Sequence, residues 1–192
     1  MTTLNNPFLE LTTILRACET EFNKKIGCLG TRLAQAVQNE HKLFICGNGG
    51  SAAQSQHFAA ELLNQYNRER DGLPAIALTT DTSTITAIGN DHGYDNVFFK
   101  PFKALRQKND ILICLTTSGN SGNILRVIEC ANTWGNEVIL LTGGDGGDAV
   151  ALVPQANTFI VPSASTARIQ EVHNVIIHGL CEVIDKKYFD SI

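Results

Sequence analysis

The chain has 192 residues, a formal net charge of -4 at pH 7 and a pI of about 5.7. That length supports one domain with a sizeable core, and an acidic balance without a basic patch argues against nucleic acid as the main ligand. No apolar run reaches the roughly 18–20 residues of a membrane span, and the N-terminus lacks a basic-then-apolar signal, so the chain reads as soluble and cytoplasmic.

From about Leu4 to Asn39 apolar residues recur at helical spacing (Leu11, Ile14, Leu15, then Ile26, Leu29, Leu33, Val37). Gly27 and Gly30 either divide two helices there or sit within one. Residues 1–41 are therefore read as a helical extension used for packing against other copies, and 42–192 as the main domain. From Lys42 onward strands and helices alternate: strand 43–46, helix 51–66, strand 75–78 and a helix from near Thr82. Strand 111–115, helix 121–134, strands 138–141 and 158–161, and a final helix 165–187 follow. Short continuous apolar strands separated by helices predict an α/β fold, with a parallel sheet covered on both faces. Ligands bind at the carboxyl ends of such strands, which places loops 47–51, 79–82, 116–121 and 142–147 on one rim. Six cysteines, at 18, 28, 46, 114, 130 and 181, form no CxxC pair and read as small buried hydrophobes in a reducing compartment.

Two rim loops carry chemistry. Gly47-Asn48-Gly49-Gly50-Ser51 lies between a strand and a helix, where backbone N–H groups and the helix dipole meet an anion. His57 and Glu61 follow on that helix, four residues apart and on one face. The second loop, Thr116-Thr117-Ser118-Gly119-Asn120-Ser121, has four hydroxyls at a helix start, which suits a phosphomonoester. No Gly-Lys-Ser/Thr is present, so it is not a nucleoside-triphosphate loop. Gly47-x-Gly49-x-x-Ala52 also fits the dinucleotide fingerprint, but the acidic Asp81 at the end of the second strand comes about ten residues late for a ribose. His92 is a rim residue without a derivable role, and His173 is read as serving packing or a subunit contact.

The order Cys-Gly-Asn-Gly-Gly-Ser, His-Phe-Ala-x-Glu-Leu, Gly-Asn-Asp, Thr-Ser-Gly-Asn-Ser and Arg-Ile-Gln-Glu-x-His resembles the sugar isomerase (SIS) family. The resemblance implies a three-layer αβα sandwich with a five-stranded parallel sheet and a homotetramer with active sites at subunit interfaces. It implies aldose–ketose isomerisation of a sugar phosphate, sedoheptulose 7-phosphate, feeding nucleotide-heptose biosynthesis, with a lipopolysaccharide core, a capsule or another glycan as the destination. Asn48, Gly49, Gly50, Asn90 and Asp91 of a Gly-Asn-Asp loop, Thr116, Thr117, Ser118, Ser121 and Gln170 match substrate-binding positions. Glu61, also a substrate contact, matches the catalytic base and His178 the catalytic acid. His57, Glu61, Gln170 and His178 match positions that hold zinc (Zn2+) in family members where the metal is seen. Helix geometry limits that last expectation: Gln170 and His178 lie eight residues apart, about 12 Å at 1.5 Å per residue, whereas zinc–ligand bonds are about 2.0–2.2 Å. Either both side chains stretch toward one ion, or one of them serves a neighbouring subunit.

Moving a proton between C1 and C2 through an enediol needs a base beside carbon and an acid beside oxygen. A carboxylate and an imidazole suffice, and a divalent cation can polarise the carbonyl. A competing resemblance is to a non-catalytic SIS protein that binds the replication initiator, through Ser51-Ala52-Ala53, Ala167 to Glu171 and Leu180 to Asp185. That relative lacks the carboxylate matching Glu61 and the histidine matching His178; this chain has both. A sugar-phosphate sensor controlling transcription would need a basic N-terminal DNA-binding domain, for which the first forty or so residues, with four acidic and four basic side chains, leave little room.

Overall fold

Five parallel strands make one sheet in the order β2-β1-β3-β4-β5: β1 (Leu43–Gly47), β2 (Ala75–Ala77), β3 (Ile111–Leu115), β4 (Glu137–Gly143) and β5 (Thr158–Val161). The structure is a computed structural model and describes residues 6–190. Every residue of β1 and β3 is buried, because helices cover both faces. Successive side chains point to opposite faces. Leu43, Ile45 and Ile113 therefore join a core with α1 (Pro7–Gln38), α2 (Gly50–Leu63) and α6 (Thr166–Phe189). Phe44, Cys46, Leu112 and Cys114 join a second core with α3 (Thr82–His92), α4 (Phe99–Leu105) and α5 (Gly122–Thr133).

The N-terminal extension is one 32-residue helix, so neither glycine breaks it. Asn6 caps it by accepting hydrogen bonds from the N–H groups of Phe8 and Leu9, with Pro7 in the first turn. Leu4, where the sequence pattern begins, lies outside the described residues. Gly30 is there for proximity: a Cβ on it would stand 2.7 Å from Cβ of Val183, where α1 crosses α6. No helix among the described residues is long and apolar enough to cross a membrane. All six cysteines are free thiols, and five of them are buried. Cys46 and Cys114 face each other across β1 and β3 with their sulfurs 3.6 Å apart, and burial pushes the Cys114 thiol well up.

Strand order locates the site. The chain leaves β1 for an outer neighbour, β2, then returns past β1 to β3. The loop after β1 leads into α2 on one face, and the loop after β3 leads into α5 on the other. The crevice between two such diverging loops is where open α/β sheets bind ligands. The four-loop rim contracts accordingly. Loop 79–82 is not among the residues lining the crevice, and loop 142–147 packs behind it rather than into it.

Candidate active site

A cavity of about 280 Å3 opens in that crevice, lined by Asn48, Gly49, Gly50, Thr116, Thr117, Ser118, Ser121 and Gln170 of the expected substrate set. Ser51, Leu115 and Thr166 complete the wall. Three helices begin here: α2 at Gly50, α5 at Gly122 and α6 at Thr166. Each helix N-terminus carries partial positive charge and N–H groups without intrahelical partners, so three together make a strong anion site. The cap positions of all three, Gly49, Ser121 and Ser165, make no side-chain cap hydrogen bond. Ser121 therefore holds the N-cap position without using its hydroxyl as a cap.

The phosphate-type loop is held from behind. The Thr116 hydroxyl accepts the Gly119 N–H at 3.2 Å, and the Ser118 hydroxyl accepts the Asn120 N–H at 3.2 Å. Gly119 sits at φ +69, and a Cβ on it would collide with the carbonyl of Gly146, so only glycine fits. Ala149 N–H donates to Gly119 carbonyl and Asp148 N–H to Asn120 Oδ1, fastening the two loops together. Thr142, at the end of β4, takes the next link: His173 Nε2 lies 3.2 Å from its carbonyl. His173 is completely buried, with Nδ1 unpartnered, and burial lowers its pKa to about 4. The imidazole is thus neutral and donates through Nε2, which makes His173 a core residue rather than a subunit contact.

Gln170 rests against Gly50, whose missing Cβ would stand 2.5 Å from its amide nitrogen. Helices α2 and α6 run alongside each other from that point. Gln54 donates to the Gln170 carbonyl at 2.6 Å and to Asn174 Oδ1 at 2.8 Å. Further along, His57 Nε2 meets His178 Nε2 at 2.9 Å, a hydrogen bond in which one ring donates to the other. Glu61 Oε1 lies 3.6 Å from His57 Nδ1. Tyr66 stacks on His178 with ring centroids 5.9 Å apart. Burial chiefly, then nearby carboxylates, raises the Tyr66 phenol.

The expected residues thus fall into two groups and a remainder. The cavity gathers the loop residues and Gln170, while Glu61, His57 and His178 meet elsewhere. Glu61 is eleven residues beyond Gly50, a rise of about 16 Å along α2. Asn90 and Asp91 join neither group: they occupy the last turn of α3 instead of a loop, exposed, with the Asn90 amide donating to Asp91 at 2.8 Å. Asn48 lines the cavity, but its amide pairs reciprocally with Asn123 at 2.9 Å and accepts from the Tyr94 hydroxyl at 3.3 Å. Its side chain therefore braces the loop.

The four-residue zinc set does not assemble in one chain. His57 and His178 present two nitrogens to one point, Glu61 stands behind His57 on its other nitrogen, and Gln170 stays at Gly50. Among the described residues no group of three or more His, Cys, Asp or Glu side chains is arranged to hold a metal ion. The donors fit the expected zinc incompletely.

Sequence reasoning missed the brace under this second group. Arg70 pairs with Asp185 at 2.8 Å, and both are almost completely buried. The Arg70 guanidinium also donates to the carbonyls of Leu62 at 2.8 Å and Glu61 at 2.9 Å, the last turn of α2. It thereby satisfies a helix C-terminus and ties it to α6. An arginine nine residues after a proposed base has no local signature, because its partner lies 115 residues away.

The SIS domain family matches residues 8–143 of the chain. Among curated relatives, the phosphoheptose isomerase of Chromohalobacter salexigens is 52% identical over 160 residues, covering 83% of this chain and 81% of the relative. That of Alkalilimnicola ehrlichii is 50% identical over 167 residues, covering 86% and 85%. The solved phosphoheptose isomerase structure from Neisseria gonorrhoeae superposes with a TM-score of 0.85 at 41% identity, over 93% of this chain and 95% of that one. The one from Francisella tularensis gives 0.86 at 39% identity, over 97% and 100%.

Proposed function

The chain belongs to the SIS-domain family and to its phosphoheptose isomerases, and from that membership we infer that it interconverts sedoheptulose 7-phosphate and D-glycero-D-manno-heptose 7-phosphate. The observation that carries this reading is the convergence of three helix N-termini on one hydroxyl-lined cavity, while two of those helices bring Glu61 and His178 together through His57. The cavity takes the dianionic phosphate at the helix ends and the free Ser121 hydroxyl. The Glu61 carboxylate removes a proton from C1 of the ketose and returns it to C2. His178 carries the hydroxyl proton from O1 to O2 as the enediol forms and collapses. Each proton removed is redelivered, so the step is redox-neutral overall and needs no hydride carrier. His57, between the two, orients the His178 ring.

The roughly 16 Å along α2 between phosphate cavity and base fits a site assembled from two copies, with Glu61 and His178 serving the cavity of a neighbour. Exposed Phe8 and Leu9 on α1 and Val175 on α6 are apolar surface that a homo-oligomer, a tetramer by the family resemblance, would cover. Zinc belongs to the same proposal: His57 and His178 would supply the nitrogens, with Gln170 contributed only if copies combine. When bound, such an ion would polarise the substrate carbonyl. Zinc titration of chelator-treated protein, with His57→Gln as the control, reads this directly.

The deciding experiment mixes two inactive variants, Glu61→Gln and a Ser118→Ala/Ser121→Ala double variant, and assays isomerisation after subunit exchange. Regained activity supports a shared site. Full activity in Glu61→Gln alone removes that residue from the chemistry. Binding of the replication initiator without turnover would favour the non-catalytic alternative, which Glu61 and His178 argue against.

A further inference from the structure

A second cavity lies away from the strand ends. It measures about 630 Å3 and lies between α4, α5 and the end of α3, lined by His92, Asn96, Phe99, Lys100, Lys103 and Arg126, with Ala104 beside them. It shares no residue with the phosphate cavity. No carboxylate lines it, although the chain as a whole carries a charge of -4.

The described ion pairs engage Lys25, Arg32, Lys42, His57, Arg70 and Arg168; Lys100, Lys103 and Arg126 take part in none of them. Instead, two of these cations share one aromatic ring. Arg126 lies 5.1 Å and Lys103 5.7 Å from the centroid of Phe99. Cation–π contact holds both heads at the cavity wall, where an anion between them would meet both. A concave surface lined by one sign of charge focuses its field on the space inside.

We propose that this cavity binds an organic di- or triphosphate, of which a nucleoside diphosphate is the simplest representative. Three cationic side chains, Lys100, Lys103 and Arg126, outnumber the charges of one phosphate dianion, so at least two phosphoryl groups match them. Arginine grips phosphate through a planar fork and lysine as a point charge. Phe99 and Ala104 offer apolar surface that a bare inorganic anion would leave unused, whereas a nucleobase would cover it. The site stands apart from the isomerase reading, because it uses none of the residues assigned to that chemistry.

Isothermal titration of the full-length protein with ADP tests it, with adenosine and inorganic pyrophosphate run in parallel. Expected are saturable ADP binding that weakens with added salt and no binding of adenosine. A loss of tenfold or more is expected in a Lys103→Gln/Arg126→Gln double variant, whose fold is checked by circular dichroism and whose isomerase activity is retained. Saturating sugar phosphate should leave ADP binding in place. Absent ADP binding, affinity unchanged in the double variant, or displacement by the sugar phosphate would each overturn the assignment. Pyrophosphate binding as tightly as ADP would overturn the organic part of it.

Discussion

Acidification should weaken this protein through one buried histidine. His173 is fully buried against the end of β4, and burial holds its pKa at about 4 instead of 6.5. Because the folded-state value is depressed, the unfolded chain binds the proton more tightly between those two pH values. The stability contribution is thus fully present above about pH 6.5, is lost as pH falls toward about 4, and does not change further below that. The window corresponds to about 3 kcal/mol at roughly 1.4 kcal/mol per pH unit. Replacing His173 by Gln keeps a donor for the Thr142 carbonyl and removes the titration. Urea unfolding of both proteins at fixed chain concentration, from about pH 7.5 to about pH 4, should show the parent losing about 3 kcal/mol more than His173→Gln, since the carboxylates common to both cancel. Parallel curves for the two would refute the argument that a neutral buried imidazole sets this acid limit.

Other outcomes follow from the same geometry. Glu61→Gln should lower kcat by roughly 10²–10⁴-fold, the usual worth of a general base, with phosphate affinity unchanged by direct titration. Ser121→Ala should raise KM roughly tenfold or more, as the loss of a hydrogen bond to a charged group predicts, while thermal stability stays level because the hydroxyl caps nothing. Asp185→Asn leaves Arg70 buried without its counter-charge and should cost roughly 3–5 kcal/mol in denaturant unfolding. Gly50→Ala drives the Gln170 amide off the cavity wall; substrate binding in calorimetry should weaken while circular dichroism remains unchanged.

Much of the fold was legible because it rests on local signals. The apolar run at 111–115 coincides with β3, and that at 158–161 with β5. The others differ at their ends: β1 runs one residue further, to Gly47, and β4 spans Glu137–Gly143. The helix expected at 51–66 stops at Leu63, where Asn64 N–H takes the Ala60 carbonyl and the distant Arg70 takes those of Glu61 and Leu62. Helix α4 went unread because seven residues carry too short a period to stand out. Asn90 and Asp91 looked like a loop from a glycine, yet Gly93, at φ +84, is the residue that ends α3.

The sequence by itself marked the candidate residues: glycine and hydroxyl loops at strand ends, a carboxylate and imidazoles at helical spacing. These are properties of short segments, whose periodicity and turn chemistry do not depend on the rest of the chain. Tertiary structure alone decided how those residues are distributed. The return of the chain past β1 to β3 put two loops side by side, and the packing of α6 along α2 brought His178 to His57 but left Gln170 at Gly50. The reason is physical: distance within a helix is set by its rise, so the backbones of residues eight apart stay about 12 Å from each other, while contacts between helices depend on burying side chains more than a hundred residues apart in sequence.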